Sequence, residues 1–300
     1  MDSISDLGFF VLLSKAGSLV AAAQQMGVTP PTASKRLASI ERRLGVRLLN
    51  RTTRRASLTA EGEAFLAEGS RLLDEILLLE QRLTGTRAAP RGLLRVRATL
   101  GFGRRHVTPA VSAFALRHPQ VEVQLHLSDR PTNLVEEGFD VAVRVGELAD
   151  RRLTARRIAD NARLLCASPA YLRQAGEPSK PAELQAHQCI VLRESDETYG
   201  SWHLTRGSRR ETIKVRGRLS TNDGEAALDW ALKGHGILMR SQWDVARHLR
   251  SGRLRIVLPQ WKLPPADIHA VFPTKKDLSA KTRAFVDHLV DTFAQNDWAL

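Results

Sequence analysis

The residues best suited to chemistry lie between Ser18 and Arg55, where hydroxyl and cationic side chains follow a short alanine-rich segment. Hydroxyl and basic side chains bind phosphate oxygens and the edges of bases, which makes double-stranded DNA the leading candidate partner. The candidate contacts are Ser18, Thr29, Pro31, Thr32, Ser34, Lys35, Arg36, Arg51, Thr53, Arg54 and Arg55. This chemistry is non-covalent recognition.

Two short helices joined by a glycine turn are predicted to position these side chains. Ser18 is a candidate cap of the first helix, and Gly27 supplies the left-handed position that ends it. Thr29 is predicted to cap the second helix, whose first turn contains Pro30 and Pro31. This order favours a winged helix-turn-helix, in which the second helix enters the major groove.

The second helix is predicted to have an apolar face and a polar face. Leu37, Ile40 and Leu44 recur at helical spacing, and Val28 is expected to face the core from the turn. Residues 1–58 contain nine Lys or Arg against three Asp or Glu, a local net charge of +6. A solvated surface helix is the alternative, but the caps, the spacing and the charge together favour a DNA reader.

A basic hairpin tip is predicted after the second helix. Arg51, Thr53, Arg54 and Arg55 fall in the segment RTTRR, which is typical of a wing that contacts phosphates or reaches into a minor groove. A solvated charged loop would have the same composition, so both interpretations stay open for this tip.

This segment resembles the N-terminal domain of LysR-type transcriptional regulators. It matches their pattern at Ser18, Ala21, Ala22, Ala23, Val28, Pro31, Ser34, Glu41, Leu44, Gly45, Leu48 and Arg51, and it departs at Leu19, Val20, Met26 and Pro30. Pro30 replaces a Gln that often reaches a base in that family. The resemblance therefore implies that base readout shifts toward Thr32, Ser34 and Lys35.

Length and charge set the broad class of the protein. Three hundred residues suggest about two domains, and a net charge of +13 with a pI near 10.6 favours a polyanionic partner. A protein that binds an anionic membrane would have a similar net positive charge. The sequence has neither a run of about 20 apolar residues nor a secretory signal, so we expect a cytoplasmic, nucleoid-associated protein without a membrane partner.

Cysteine and histidine offer little chemistry. Cys166 and Cys189 are too few for a disulfide framework or a four-cysteine zinc site, and their apolar neighbours indicate buried side chains. A redox switch is the alternative, although neither cysteine has an obvious neighbour that would activate its thiol. The nine histidines lack metal-ligand spacing, so no metal and no cofactor are expected.

A long amphipathic helix is predicted over residues 59–88, with a hinge at residues 85–92. Its apolar positions recur at coiled-coil-like intervals at Phe65, Leu72, Leu73, Ile76, Leu79 and Leu83. A second chain is expected to cover this stripe, and packing within one subunit is the alternative. In the LysR resemblance this helix is the dimerising linker, and most members of the family form tetramers.

The remaining sequence alternates strands and helices, which predicts an α/β fold with mainly parallel sheets. We expect a DNA-binding domain over 1–58, the linker over 59–88, one lobe over 92–162 and 266–300, and a second lobe over 163–265. Two such lobes resemble a periplasmic-binding-protein-like fold. SDRPTNLVEEGFDVAVRVGEL, LLCASPAYL and ALKGHGI also resemble the LysR effector domain of the CrgA-like branch, whose cleft binds a small molecule, often an organic or aromatic acid.

A ligand site is predicted where strands end and helices begin, because anions favour such positions. The candidate effector residues are Thr99, Leu100, Gly101, Phe102, Ser128, Arg144, Val145, Thr221 and Asn222. Arg144 is a candidate partner for a ligand carboxylate, but an arginine on a strand also commonly forms an internal ion pair.

No catalytic residue is predicted. The segment GFGRRH partly matches the dinucleotide fingerprint, but His106 replaces its third glycine. G-x-S-x-G, P-loop and H-E-x-x-H patterns are missing from the sequence, although a catalytic site assembled in space would leave no such pattern. We therefore consider a ligand-responsive transcriptional regulator, with RNA polymerase as a candidate further partner, and alternatively an enzyme or binding protein tethered to DNA.

Overall fold

The computed structural model describes residues 3–51, 56–84, 89–130, 134, 137–146, 153–193, 200–274, 278–294 and 298. The chain divides into two compact units, which are described separately. Unit 1 contains residues 1–93 and 277–280, and unit 2 contains residues 94–276 and 281–300. The predicted α/β class is confirmed, with a helix-turn-helix in unit 1 and two lobes in unit 2.

The residues of unit 1 that the structure describes form four helices and a short hairpin. Its elements are α1 (Ser3–Ala16), α2 (Leu19–Gln25), α3 (Pro30–Leu44), β1 (Leu49–Arg51), β2 (Ala56–Leu58) and α4 (Ala60–Thr84). Ser18 caps α2, because its hydroxyl accepts a hydrogen bond from the backbone N–H of Ala21 at 3.1 Å. Gly45 ends α3 in the left-handed conformation, with φ of 72°.

The core of unit 1 lies where α1, α2 and α3 meet. The small side chains of Ala22 and Ala23 are fully buried, which lets the helices approach closely around Leu37 and Ile40. Val28 and Leu44 differ from the prediction, because each is 37% exposed and does not belong to this core. Val28 directly follows Gly27, which has a left-handed backbone with φ of 65°.

Helix α4 is joined firmly to the rest of unit 1 at its start. The hydroxyl of Thr59 accepts a hydrogen bond from the N–H of Gly62 at 2.9 Å, and Phe65 packs edge-on against Phe10 at 5.3 Å. Farther along, Leu72 and Leu79 lie seven residues apart and are 41% and 53% exposed. These two residues leave part of the predicted apolar stripe uncovered, whereas the side chain of Leu83 lies outside the described residues.

The first lobe of unit 2 is built on a five-stranded sheet in the order β4-β3-β5-β14-β6. Its strands are β3 (Gly92–Ala98), β4 (Val121–Leu127), β5 (Val141–Val145), β6 (Leu153–Ala159) and β14 (Ile268–Pro273). Strands β3 and β5 are parallel, whereas β14 runs antiparallel to both of its neighbours. The last of the described strands therefore returns to the first lobe and lies inside its sheet, between β5 and β6.

The second lobe has its own five-stranded sheet in the order β11-β8-β12-β7-β13, together with a separate β9–β10 hairpin. The strands are β7 (Arg163–Ala167), β8 (Cys189–Leu192), β9 (Ser201–Arg206), β10 (Arg209–Lys214), β11 (Ser220–Thr221), β12 (Ile237–Ser241) and β13 (Arg255–Val257). Strand β7 is antiparallel to both β12 and β13. The prediction of mainly parallel sheets was wrong, because both crossings between the lobes bring in strands of reversed direction.

The described residues of unit 2 form six α-helices beside the two sheets. They are α5 (Leu100–Phe102), α6 (Thr108–Arg117), α7 (Pro169–Ala175), α8 (Gly224–Leu232), α9 (Gln242–Arg250) and α10 (Ala280–Phe293), and one π-helical turn over Gly103–Val107 joins α5 to α6. Helix α9 follows a strand of the second sheet, yet Trp243 and Ala246 pack into the core of the first lobe. It thus connects the two lobes.

Within the described residues, no single helix has the length and apolar character needed to cross a bilayer. Only α1 and α2 taken together reach that length and composition, and the chain bends by 119° between them. Residues of both helices form the buried core of unit 1.

Candidate nucleic-acid interface and ligand cavity

The first two turns of α3 form a polar surface. Pro31, Thr32, Ser34 and Lys35 are all exposed, because the apolar residues of α3 face inward at Ala33 and Leu37. Hydroxyl and ammonium groups at this end of a second helix can reach base edges and phosphates. The structure thus brings four of the predicted contacts together.

Ser18 and Thr29 lie exposed at the starts of α2 and α3. The predicted capping role of Thr29 was wrong in one respect. Its hydroxyl lies 2.8 Å from the hydroxyl of Thr32 and accepts no hydrogen bond from the helix backbone. The two hydroxyls form a paired polar group, because Pro30 and Pro31 remove the N–H groups nearest to the cap.

Arg36 does not fit the prediction that it is free to meet DNA. Its Nε donates to Asp6 Oδ1 at 3.2 Å, its Nη2 donates to Ser5 Oγ at 2.6 Å, and its guanidinium lies 5.0 Å from the ring centre of Phe9. Asp6 is only 2% exposed and also accepts from Arg43 at 3.1 Å. Arg36 therefore holds α3 against α1, which orients the recognition surface.

The hairpin after α3 is anchored by a side chain of that helix. Glu41 Oε1 accepts hydrogen bonds from the N–H groups of Leu48 and Leu49, and β1 then pairs with β2 in antiparallel register. The side chain of Arg51 and the whole of Thr53, Arg54 and Arg55 lie outside the described residues. Their predicted contacts with phosphate therefore stay predictions.

A cavity of about 580 Å³ lies between the two lobes of unit 2, a volume typical of small-molecule sites. The structure places eight of the nine predicted effector residues in its lining: Thr99, Leu100, Gly101, Phe102, Ser128, Arg144, Val145 and Asn222. They come together because β3, β4 and β5 end at the same edge of the first sheet, opposite the start of α8.

Two predicted effector residues have other roles. Thr221 is not part of the lining, and its hydroxyl accepts a hydrogen bond from the N–H of Asp223 at 2.9 Å. Phe102 borders the cavity but is only 1% exposed, because its ring packs against Trp243 and Trp298. Phe102 thus mainly shapes the wall.

The helix starts that face the cavity are already occupied by carboxylates of the protein. Asp129 Oδ1 accepts from the N–H of Leu100 at 2.8 Å. Asp223 Oδ1 accepts from the N–H groups of Glu225 and Ala226 at 2.7 and 3.1 Å. The expectation that free helix N-termini attract an anion here therefore needs correction, because a carboxylate of the protein already accepts from backbone N–H groups at each of these two helix starts.

Arginines supply the positive charge of the cavity. Six arginines line it, against three acidic residues: Arg97, Arg104, Arg130, Arg144, Arg163 and Arg240, against Asp129, Asp223 and Glu225. Such an excess of cations favours a negatively charged ligand. Arg104 of the first lobe also forms an exposed ion pair of 2.8 Å with Glu225 of the second lobe.

Sequence reasoning found only one of these six arginines, Arg144. Arg240 follows three apolar residues of β12 and precedes Asp244 by four residues, a spacing that suits an ion pair. That signal was available in the sequence. Arg97 lies on β3 only two residues before Thr99, so the sequence could also have indicated it, whereas Arg163 lies on β7 of the second lobe and only the fold reveals its proximity.

The two cysteines are buried, at 0% and 1% exposure. Burial raises the pKa of both Cys166 and Cys189 to about 12. Both thiols therefore stay protonated near neutral pH and are poor nucleophiles, which gives the redox alternative no support. In the part of the chain that the structure describes, no group of three or more potential ligands is arranged to hold a metal ion.

Both units match known families. Residues 4–63 match the bacterial regulatory helix-turn-helix proteins of the lysR family, and residues 87–294 match the LysR substrate binding domain. Among curated proteins, the chain is 40% identical over 293 residues to the HTH-type transcriptional regulator DmlR of Escherichia coli strain K12, covering 98% of this chain and 95% of that protein. It is 36% identical over 284 residues to the HTH-type transcriptional activator TtdR of the same strain, covering 95% and 91%.

Solved structures of other regulators show a similar fold. CrgA, a LysR-type transcriptional regulator from Neisseria meningitidis, has 30% sequence identity and a TM-score of 0.61, with 97% of this chain and 99% of that chain covered. The virulence activator AphB of Vibrio cholerae has 28% identity and a TM-score of 0.60, with the same shares covered.

Proposed function

This chain belongs to the LysR family of DNA-binding transcriptional regulators, and on that premise we propose that its action at a promoter responds to a small organic acid held in the cavity of unit 2. The observation that carries the proposal is the arginine-rich lining of that cavity, in a chain that also presents an exposed polar surface on α3. One unit would read DNA and the other would sense a metabolite.

The proposed DNA interface is the exposed start of α3, supported by the wing. Thr32, Ser34 and Lys35 reach base edges or phosphates, while Arg36 acts from behind by fixing the helix on Asp6. The wing residues Arg54 and Arg55 add contacts to phosphate. Because phosphate contacts release counterions, affinity falls as the salt concentration rises.

Lys35→Ala is expected to weaken binding to a genomic fragment that carries the binding site, and to lower the slope of log K against log salt by about one unit. Arg54→Ala in the wing is expected to do the same. Fluorescence anisotropy at several salt concentrations measures both quantities. Lys15→Ala, which removes an equal charge from the end of α1, serves as the control. An unchanged slope for Lys35→Ala and Arg54→Ala would exclude both residues from the interface.

The proposed effector is an organic or aromatic acid. Thr99, Ser128 and Asn222 supply polar groups around the cavity, and the arginines supply charge. A cleft of this kind recognises a ligand through a few fixed polar groups and buries most of the rest of the ligand surface. Binding would change the DNA affinity or the bend in the promoter.

Thr99→Ala is expected to reduce the response to the acid several-fold while basal DNA binding stays intact. The hydroxyl of Thr99 caps no helix N–H, so its removal costs the fold little. Anisotropy titrations of the DNA fragment with and without added acid measure the response. A loss of basal DNA binding would instead indicate a folding defect, and an unchanged response would remove Thr99 from the ligand site.

We further propose self-association through α4. Leu72 and Leu79 are exposed one heptad apart, a spacing that suits an antiparallel or parallel helix partner. A dimer formed in this way places two copies of α3 on one duplex, and pairs of dimers form a tetramer. A protein that acts on promoter DNA works in the cytoplasm at the nucleoid, where RNA polymerase is its candidate further partner.

A further inference from the structure

One arginine of the cavity is buried and rigidly oriented. The side chain of Arg240 is 7% exposed, and its Nε donates to Asp244 Oδ2 at 2.6 Å. Asp244 is itself only 1% exposed. A charge-assisted hydrogen bond between two buried groups fixes the plane of the guanidinium, so its orientation does not have to be selected when a ligand arrives.

Two glycines make room for this guanidinium. A Cβ on Gly224 would lie 1.9 Å from Nη2, 2.1 Å from Cζ and 2.2 Å from Nη1 of Arg240, and a Cβ on Gly101 would lie 3.5 Å from Nη2. Gly224 is the first residue of α8, where alanine would otherwise favour the helix. Because both glycines line the cavity, the end of Arg240 lies at the junction of the two lobes.

The buried carboxylate of Asp244 is shared by two cations. Arg105 Nη1 donates to Asp244 Oδ1 at 2.8 Å, and Arg105 and Arg240 lie 5.9 and 5.5 Å from the ring centre of Trp243. Asp244 thus holds two guanidinium groups beside the same indole ring. A partly desolvated guanidinium such as that of Arg240 interacts strongly with an incoming anion.

The other paired arginines of the cavity are less suited to this role. Arg104 is 55% exposed, so water screens its charge, and it already binds Glu225. Arg97 is buried, but it binds Glu137 and the backbone carbonyl of Arg130. Arg240 combines burial, a fixed plane and a position between the lobes.

We infer that Arg240 binds a carboxylate group of the effector. It is the main determinant of the cavity's preference for an anionic ligand over the matching neutral amide. The inference rests on the proposed function of the cavity. A planar guanidinium matches a carboxylate through parallel N–H donors, which a lysine cannot reproduce. The ligand would thus contact both lobes at the point where Asp244 joins them.

The test uses the full-length protein and a panel of simple acids: acetate, propionate, malonate, succinate, glutarate and benzoate, each beside its amide. Thermal unfolding and calorimetry measure binding, because a ligand of the folded state raises the unfolding temperature. We expect at least one acid, and not its amide, to stabilise the wild type. Arg240→Gln should weaken the binding of that acid by about 10- to 100-fold, as expected for the loss of a charged hydrogen bond.

Further variants separate binding from folding. Gly224→Ala keeps every charge but displaces the guanidinium, so its affinity for the acid should fall tenfold or more. Arg240→Lys should have an affinity between those of the wild type and Arg240→Gln. Arg104→Gln removes one exposed charge and should lower the affinity for the acid by about threefold or less. Arg255→Gln breaks an exposed ion pair with Glu177 outside the cavity and is the matched control, with unchanged binding expected.

Each outcome bears on the inference differently. If folded Arg240→Gln and Gly224→Ala bind the acid like the wild type, Arg240 is not the anchor, although the cavity keeps its proposed function. If Arg104→Gln lost as much affinity for the acid as Arg240→Gln, the inference would also be overturned, because any positive charge in the cavity would then be enough for binding. If the amides bind as well as the acids, the preference assigned to Arg240 is wrong. If no acid stabilises the wild type, both the inference about Arg240 and the proposal of an organic-acid effector fail.

Discussion

Gly62→Ala is expected to destabilise unit 1 by about 3 kcal/mol and to abolish DNA binding near 37 °C. A Cβ at this position would lie 2.0 Å from the backbone oxygen of Leu48 and 3.0 Å from its carbonyl carbon. Backbone atoms cannot move aside as the end of a flexible side chain can. The first turn of α4 would therefore be pushed away from the start of β1, which Glu41 holds on α3. Urea unfolding and anisotropy on a genomic fragment measure the two effects.

Gly8→Ala is the matched control for this substitution. Gly8 lies inside α1 and has no heavy atom of the chain within 4 Å of a new Cβ, apart from its neighbours along the helix. Alanine is the better helix former by about 0.5–1 kcal/mol, so Gly8→Ala should stabilise unit 1 slightly. If Gly62→Ala unfolded at the same urea concentration as the wild type, the close contact between α4 and Leu48 would be wrong.

Asp244→Ala is expected to destabilise unit 2 by about 3–5 kcal/mol, because it leaves the buried Arg240 without that carboxylate. The substitution also frees Arg105 of the first lobe from its 2.8 Å ion pair. Both lobes lose a shared buried partner. Urea unfolding followed by far-ultraviolet circular dichroism measures the loss.

Asp229→Ala provides a matched control, because Asp229 also forms an ion pair with a residue four positions away. Asp229 and Lys233 are 2.7 Å apart on α8, but their side chains are 54% and 63% exposed. An exposed pair of this kind contributes about 0.3–0.5 kcal/mol. Equal losses in the two variants would show that burial does not strengthen the Asp244 cluster.

Local signals in the sequence predicted much of unit 1. The capping hydroxyl of Ser18, the left-handed Gly27 and the buried face of Leu37 and Ile40 all depend on residues close in sequence. The role of Arg36 could not be found in this way, because its partner Asp6 lies 30 residues earlier. Charge alone made Arg36 look like a DNA contact.

The ligand cavity was predicted less completely. Strand ends located Thr99, Ser128 and Arg144, because the carboxyl ends of neighbouring strands meet at one edge of a sheet. Occupation of the start of α5 by Asp129 was missed, since Asp129 and Leu100 are 29 residues apart. The capping of α8 by Asp223 is local and could have been predicted from the sequence. Strand direction was also missed, because periodicity shows which face of a strand is buried and not which way it runs.

The measurement that tests the account most directly is binding of the full-length wild-type protein to fragments of genomic DNA at about 100 mM salt, with its mass in solution determined in parallel. The account predicts an oligomer that selects particular fragments, with a steep dependence on salt, and a shift in affinity or bend when an organic acid is added. A monomer that bound no fragment above the level of random DNA would contradict it.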